Sequence, residues 1–395
     1  MKKPEHLVVA YGGTSPEHEV SVLTAMQAIA ALESNGHTVR PLYVSKSGRW
    51  YTGHPLTKLE NYQDLDRLLN QATPCTLGRN SYGQPVLTED RQKRFGRSDQ
   101  WPIGMLLLAF HGGAGENGSF QGLCEVWDLP YTGCDPLGSA LGMNKRVAKD
   151  LCRAHGIPVV PDQSVRESEW IDNRKEILKT IDQLGPTVVV KPVHLGSSIG
   201  VARAANREEL SEAIEEAFRY DDELLVERAI EPLMEINCSV LGSGSKLTAS
   251  VCERPLAEQE LLSFQDKYQG ESGGKGMASA TREIPADIPD EMTDRIRKLS
   301  IRIFSLLGAS GVARLDFLIQ RESGEVYFNE INTIPGSFSF YLWEPSGIPF
   351  PDLMERILEL GLDRHRHKTG RVQSYETNLL SEKALTGLKG LKGDK

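Results

Sequence analysis

The sequence predicts a mixed α/β protein of two or three domains, and three observations carry that reading. Leu7-Val8-Val9-Ala10-Tyr11 is an apolar run of strand length that stops at Gly12-Gly13 and is followed by a helix-period segment. Val188-Val189-Val190-Lys191-Pro192 sets a lysine inside an apolar strand, just ahead of the loop Gly196-Ser197-Ser198-Ile199-Gly200. Ala313–Phe317 and Gly324–Gly336 read as two strands joined by a turn at Glu322-Ser323-Gly324. At 395 residues the chain is long enough to bury more than one core.

The elements follow in order. After the first strand, Ser15-Pro16 predicts an N-cap with proline at the first helical position. That helix presents Val22, Met26, Ile29 and Leu32 on one face and stops near Asn35-Gly36. Val39–Val44 is a second strand, and residues 52–100 read as a polar excursion. Ile103–Phe110 is a buried strand that opens into a glycine-rich loop, with a helix at Gln121–Asp128. A first domain therefore spans residues 1–133, a second 134–235 and a third 236–362, with a basic tail over 363–395. In the second domain Leu141–Ala154 and 170–184 read as helices and Thr187–Lys191 as a strand. Arg207–Arg219 is a helix capped by Asn206, and Leu224–Arg228 is a strand leading into the third domain. The third domain holds a strand at Ile236–Gly242, a Gly/Ser-rich loop over 269–281 and a long helix at Asp290–Leu307.

Composition narrows the function classes. The formal charge of -9 argues against a nucleic-acid or anionic-membrane partner. The six cysteines, Cys75, Cys124, Cys134, Cys152, Cys238 and Cys252, include no C-x-x-C pair and no zinc-like spacing, which fits free thiols in a reducing compartment. The polar N-terminus does not read as a signal peptide, and no apolar run has the length of a membrane span, so the expectation is a cytoplasmic protein.

The hairpin carries the sharpest chemistry. Strand side chains alternate, so Arg314 shares a face with Asp316, and Glu330 shares one with Asn332. If the strands pair, an arginine, two carboxylates and an amide oxygen converge among apolar neighbours. Buried carboxylates require a cation, and a small set of oxygen ligands suits Mg²⁺. Lys191 with its Gly/Ser loop reads as an anion cradle, a point charge beside a nest of donors. Lys145, early in a helix, gains meaning only as a second phosphate contact. Gly113-Ala114-Gly115-Glu116-Asn117-Gly118 matches the dinucleotide pattern G-x-G-x-x-G, with Asp135 at a suitable distance. Glu116 would repel a pyrophosphate, so this is read instead as a substrate loop with His111 and Glu116 facing a small molecule. No P-loop motif is present.

Taken together and in order, these motifs resemble the ATP-grasp carboxylate–amine ligases, and among them the D-alanine–D-alanine ligase family. The resemblance runs over roughly residues 7–360. Its carriers are Gly12–Ser21, His111–Gly122, Met143–Lys145, Lys191–Gly200, Glu227-Arg228, Lys267-Tyr268, Arg314–Asp316 and Glu330–Gly336. It implies a three-domain ATP-grasp fold with a Rossmann-like N-terminal domain that serves the substrate. The central and C-terminal subdomains would enclose ATP under a lid at 269–281. It further implies that Lys145, Lys191 and Lys267 hold the phosphates beside Ser197 and Ser198. Glu227, Arg228 and Ile230 would meet the adenine, and Glu235 the ribose. Asp316, Glu330 and Asn332 would bind two Mg²⁺ or Mn²⁺. Glu17, near His111, would bind the first D-alanine's ammonium, and Glu17, Ser197 and Tyr268 would form a hydrogen-bonded triad. Arg314 and the Gly336 backbone N–H would stabilise the tetrahedral intermediate.

The implied reaction is ATP-dependent joining of two D-alanines through an acylphosphate, for peptidoglycan precursor synthesis, in a homodimer acting on small molecules. Where the family has a Thr-Ser-His-Ser-like run, this chain has Ser337-Phe338-Ser339-Phe340-Tyr341-Leu342-Trp343. Tyr341 and Leu342 then fall at the second substrate, with the Tyr341 hydroxyl offered to its carboxylate. D-serine, D-lactate or another acceptor stays open there. Outside the ligases, an NAD-dependent oxidoreductase rests on residues 113–118 alone. A non-catalytic nucleotide-binding paralogue is opposed by the filled metal and phosphate positions.

Overall fold

The structure, a computed structural model, describes residues 4–90, 98–256, 282–372 and 374. Three sheets organise it. The first begins with β1 (Leu7–Gly12), buried along its whole length as a central parallel strand should be. Helix α1 (His18–Ser34) packs Val22, Met26, Ile29 and Leu32 inward. It starts after the predicted Ser15-Pro16 cap: Glu17 is the N-cap residue, and the Ser15 hydroxyl accepts from the Glu17 N–H instead (3.1 Å).

β2 (Val39–Val44) pairs parallel with β1. The segment expected as a polar excursion holds β3 (Trp50–Thr52), α2 (Leu65–Gln71), β4 (Thr73–Arg79), β5 (Pro85–Glu89) and β6 (Gln100–Pro102). These strands extend the sheet antiparallel beyond β2. β7 (Met105–Leu108) closes the other edge beside β1, giving the order β6-β5-β4-β3-β2-β1-β7. Helices α3 (Gly113–Glu116) and α4 (Ser119–Trp127) follow.

The helix expected at Leu141–Ala154 is two helices, α5 (Pro136–Met143) and α6 (Lys145–Ala154). Asn144 sits extended between them (φ -92°, ψ 97°), and its side chain accepts from the Val147 N–H to cap α6. The second sheet is antiparallel. It contains β8 (Asp162–Arg166), β9 (Val188–Pro192), β10 (Ala202–Ala204) and β11 (Glu223–Arg228), in the order β10-β9-β11-β8. Helices α7 (Glu167–Ile181) and α8 (Arg207–Ala217) cover it, and Asn206 caps α8 as predicted.

The third sheet is also antiparallel, with order β14-β13-β12-β15-β16. Its strands are β12 (Leu233–Ser243), β13 (Lys246–Pro255), β14 (Arg282–Glu283), β15 (Gly311–Gln320) and β16 (Glu325–Asn332). Helix α9 (Asp290–Leu306) lies on its apolar face, with Ile296 and Ile303 fully buried. A short helix, α10 (Phe340–Trp343), leads to α11 (Phe350–Thr369). Helix α11 crosses the boundary expected near residue 362 and returns to the first sheet. There Leu353, Met354, Ile357 and Leu358 share a core with β1 and β7. Arg364 donates to the Tyr131 carbonyl (2.8 Å) and lies over the Tyr131 ring. No helix among the described residues is long and apolar enough to cross a membrane.

Candidate active site

The hairpin pairs as its alternation requires. β15 and β16 set Arg314 opposite Asn332 and Asp316 opposite Glu330. Arg314 grips Asp316 with two parallel bonds of 2.7 Å, and Asn332 donates to the same carboxylate at 3.1 Å. Burial disfavours the Arg314 charge, but Asp316, together with Tyr341 and Glu253, more than offsets it and shifts the guanidinium pKa upward. Glu330 meets the Lys145 ammonium at 3.1 Å. The donor atoms of Asp316, Glu330 and Asn332 are oxygens on adjacent strands, the set a hard divalent cation takes.

Lys191 enters the same cavity from β9, donating to Glu227 Oε2 (2.7 Å) and to Asn329 Oδ1 (2.9 Å). The other Glu227 oxygen accepts from Lys149, a fully buried lysine that the sequence reading passed over. Burial and the second ammonium beside it push Lys149 well below the ordinary lysine range. Arg228, Ile230 and Glu235 line the cavity with the apolar Leu233 and Leu318, a slot of mixed polarity.

The Gly/Ser loop is fastened at its base. Lys145 donates to the Leu195 carbonyl, and His194 is bonded through Nδ1 to Asp221 (3.0 Å) and through Nε2 to Asn144 (3.0 Å). His194, Asp221 and Asp222 lie close enough to suggest a metal group, but both imidazole nitrogens of His194 are already committed. Ser197 and Ser198 adopt left-handed backbone angles (φ 53° and 59°), and the Ser197 hydroxyl donates to Glu17.

Glu17, His111, Arg314 and Gly336 line the same cavity. His111 Nε2 bonds the Thr24 hydroxyl (2.9 Å), which accepts from the Ser337 N–H (3.0 Å). Burial first, then Arg314, lower the His111 pKa to about 3, so its imidazole is neutral. Gly112 is required here: its φ is +62°, and a Cβ would stand 2.7 Å from the Glu17 carboxylate. Ser337, Phe338 and Ser339, directly after Gly336, run in the left-handed region, a costly backbone path.

Residues 113–118 do not form a dinucleotide loop. Glu116 turns inward, accepting from the Gly112 N–H (2.8 Å), the Ile334 N–H (3.1 Å) and the Thr333 hydroxyl (3.3 Å). It still lines the cavity, as does His111. Tyr341 and Leu342 do not line it. Leu342 is fully buried, and the Tyr341 hydroxyl lies near Arg314 without a hydrogen-bond partner among the described residues. Lys267, Tyr268 and the 269–281 lid fall outside the described residues.

Among the wall residues that escaped the sequence reading are Asn237, Glu253 and Arg282. Strand register aligns Glu253, Asn237, Asp316 and Glu330 in one row across four strands. The available signal was polar residues alternating with buried Ile236, Cys238 and Cys252.

Comparison with known proteins agrees with this architecture. The model described as D-ala D-ala ligase N-terminus matches residues 6–134, and that described as D-ala D-ala ligase C-terminus matches residues 151–359. A D-alanine–D-alanine ligase of Thermosipho melanesiensis is 35% identical over 376 residues, covering 95% of this chain and 98% of its own length. The solved D-alanine–D-alanine ligase from Coxiella burnetii superposes with a TM-score of 0.77 at 29% identity, covering 93% of this chain and 96% of its own. The VanG D-Ala:D-Ser ligase from Enterococcus faecalis gives 0.75 at 28% identity, covering 91% of this chain and 100% of its own.

Proposed function

This chain belongs to the D-alanine–D-alanine ligase family, and from that premise we propose that it joins two D-alanines at the cost of ATP, through a D-alanyl phosphate, to supply peptidoglycan precursor synthesis. One observation carries the assignment of roles: Lys191 and the paired row Arg314, Asp316, Glu330 and Asn332 face a single cavity.

The adenine lies in the slot along the backbone of Glu227–Ile230, with Arg228 on its wall, and Glu235 takes the ribose hydroxyls. Lys191 and Lys145 balance the phosphates, with Ser197 and Ser198 supplying donors from the loop and Lys267 added from the lid. Asp316, Glu330 and Asn332 fit two Mg²⁺ or Mn²⁺ by their donor type, and such ions supply charge neutralisation to phosphoryl transfer. Arg314 and Lys145 are the countercharges these carboxylates hold now.

Glu17 takes the ammonium of the first D-alanine, fixed by Ser197 and completed by Tyr268 as a triad. Neutral His111 orients that substrate without adding charge. Phosphoryl transfer to the substrate's carboxylate forms the acylphosphate, which the second amine attacks. Arg314 and the Gly336 N–H stabilise the oxyanion that develops, and losing one such donor costs about 3 kcal/mol of barrier. The first sheet serves the substrate and the other two enclose the nucleotide, in a cytoplasmic homodimer.

The test is incubation with ATP and D-alanine, followed by mass detection of dipeptide and assay of ADP and phosphate. Equal release of the three, only when D-alanine is present, is the expected outcome. AMP with pyrophosphate, or turnover of NADH without ATP, would refute the reading. Glu330→Gln should remove most activity and raise the Mg²⁺ needed for half-maximal rate, because a small ligand set loses a charge. Normal turnover at ordinary Mg²⁺ would remove Glu330 from the metal site.

A further inference from the structure

Building on the ligase reading, we propose that Arg282 is the specificity residue that receives the acceptor's α-carboxylate, with the Tyr341 ring as its floor and Glu253 as its guide. Arg282 opens β14, at the edge of the third sheet farthest from β16. Its guanidinium carbon stands 4.1 Å from the centroid of the Tyr341 ring. One terminal nitrogen donates to Glu253 Oε2 (3.2 Å), and Glu253 Oε1 accepts from Asn237 (2.8 Å). An arginine stacked on a ring keeps its donors in the plane, where a carboxylate is read.

Two cations of the cavity, Arg203 and Arg228, belong to β10 and β11 of the second sheet, and the other four sort along the row. Lys145 meets Glu330 on β16, and Lys191 lies with Glu227 at the nucleotide end. Arg314 stands at the centre, gripping Asp316. Arg282 lies beyond Arg314 on the far side from Glu330, because the row runs Glu330, Asp316, Asn237, Glu253 and Arg282 joins its last member. In the ligase reading the phosphates take the Glu330 side and the donor's ammonium takes Glu17. The acceptor approaches the reacting carbon from the remaining side and brings a carboxylate, which needs a cation where it is desolvated. Arg282 is the cation on that wall among the described residues. Tyr341 contributes its ring, since its hydroxyl is buried off the wall. The acceptor class is therefore a small D-amino acid with a free α-carboxylate, and its amide is refused.

The experiment supplies D-alanine with D-alaninamide as competing acceptor and separates dipeptide from dipeptide amide by mass. The wild-type enzyme should favour the acid roughly a hundredfold. Arg282→Gln should lower that ratio roughly tenfold or more, raise the second D-alanine constant and leave the ATP and first D-alanine constants unchanged. Arg282→Lys should keep part of the preference through its point charge. Tyr341→Phe should keep the wild-type ratio, and Tyr341→Leu should lower it. A wild-type product ratio in Arg282→Gln, or in Arg282→Lys if the glutamine variant does not fold, overturns the proposal while leaving the ligase reading intact. Wild-type enzyme that makes no dipeptide overturns the ligase reading instead.

Discussion

At the scale of single residues, the site is a problem of buried charge, and Glu227 shows how it is solved. One carboxylate, nearly inaccessible to water, serves both Lys149 and Lys191. Two ammoniums on one carboxylate are over-compensated, and burial shifts Lys149 toward its neutral form. Glu227 is therefore the one carboxylate that both lysines bond. Glu227→Gln leaves Lys149 and Lys191 facing an amide, and loss of a buried pair's partner costs about 3–5 kcal/mol. Urea unfolding of the variant, with nucleotide absent, measures this directly; a loss under about 1.5 kcal/mol would show that Lys149 is already uncharged in the native state. The lysine on β9 was legible in the sequence because charge inside an apolar strand is anomalous. Lys149 was not, because on a helix a lysine is ordinarily solvated and only the tertiary packing of α6 beside β16, with the bond to Glu227 on β11, buries it.

At the scale of elements, loops from different sheets are stitched by single side chains, and Glu116 stitches most tightly. It joins the loop after β7 to the end of β16 through three donors. Burial first, then Glu17, raise its pKa to about 7 against the pull of those donors. The folded protein thus holds the Glu116 proton more tightly than the unfolded chain does. Its contribution to stability is greatest below the ordinary carboxylate pKa and is lost as pH rises from about 4.5 to about 7. Across that window the wild-type stability, measured relative to Glu116→Gln, should fall by on the order of 3 kcal/mol. Thermal or urea midpoints of both proteins at several pH values test it, and a pH-independent difference would count against a buried, proton-holding Glu116. The same scale explains where sequence reading stopped. The hairpin register follows from alternation, so Arg314, Asp316, Glu330 and Asn332 were readable together. Glu253 and Asn237 needed the pairing of β12 with β13 and β15, which no local pattern states. The helix break at Asn144 was hidden because Gly142-Met143-Asn144-Lys145 contains no proline. β3 to β6 were hidden because edge strands carry too few apolar residues to alternate.

At the scale of the whole molecule, the chain closes on itself, and this decides how its domains cooperate. Helix α11 is last in the described sequence, yet its apolar face completes the core of the first sheet. Leu241, Val312 and Trp343 from the third sheet and its following loop join that same core. The first and third sheets are thus fixed by shared burial as well as by Glu116, and Glu17 ties the first sheet's loop to the Gly/Ser loop of the second. Ile357 lies at the centre of this contact and is 1% exposed. Ile357→Ala removes three carbons from a packed site and should cost about 2–5 kcal/mol, including the cavity left behind. If the coupling of the first and third sheets through this core extends to the second sheet, whose core is separate, the loss should appear equally at both ends of the molecule. Trp101, at the edge of the first sheet, and Trp170, on α7 above the second, offer reporters there. Single-tryptophan variants keeping one or the other should lose stability in parallel when Ile357→Ala is added. If the second sheet, which has a core of its own around Trp170, unfolds independently, the Trp101 transition would shift while the Trp170 transition held. Unfolding curves that separate in this way would show independent domains, and the coupling of the first and second sheets would then rest on the cavity contacts by themselves.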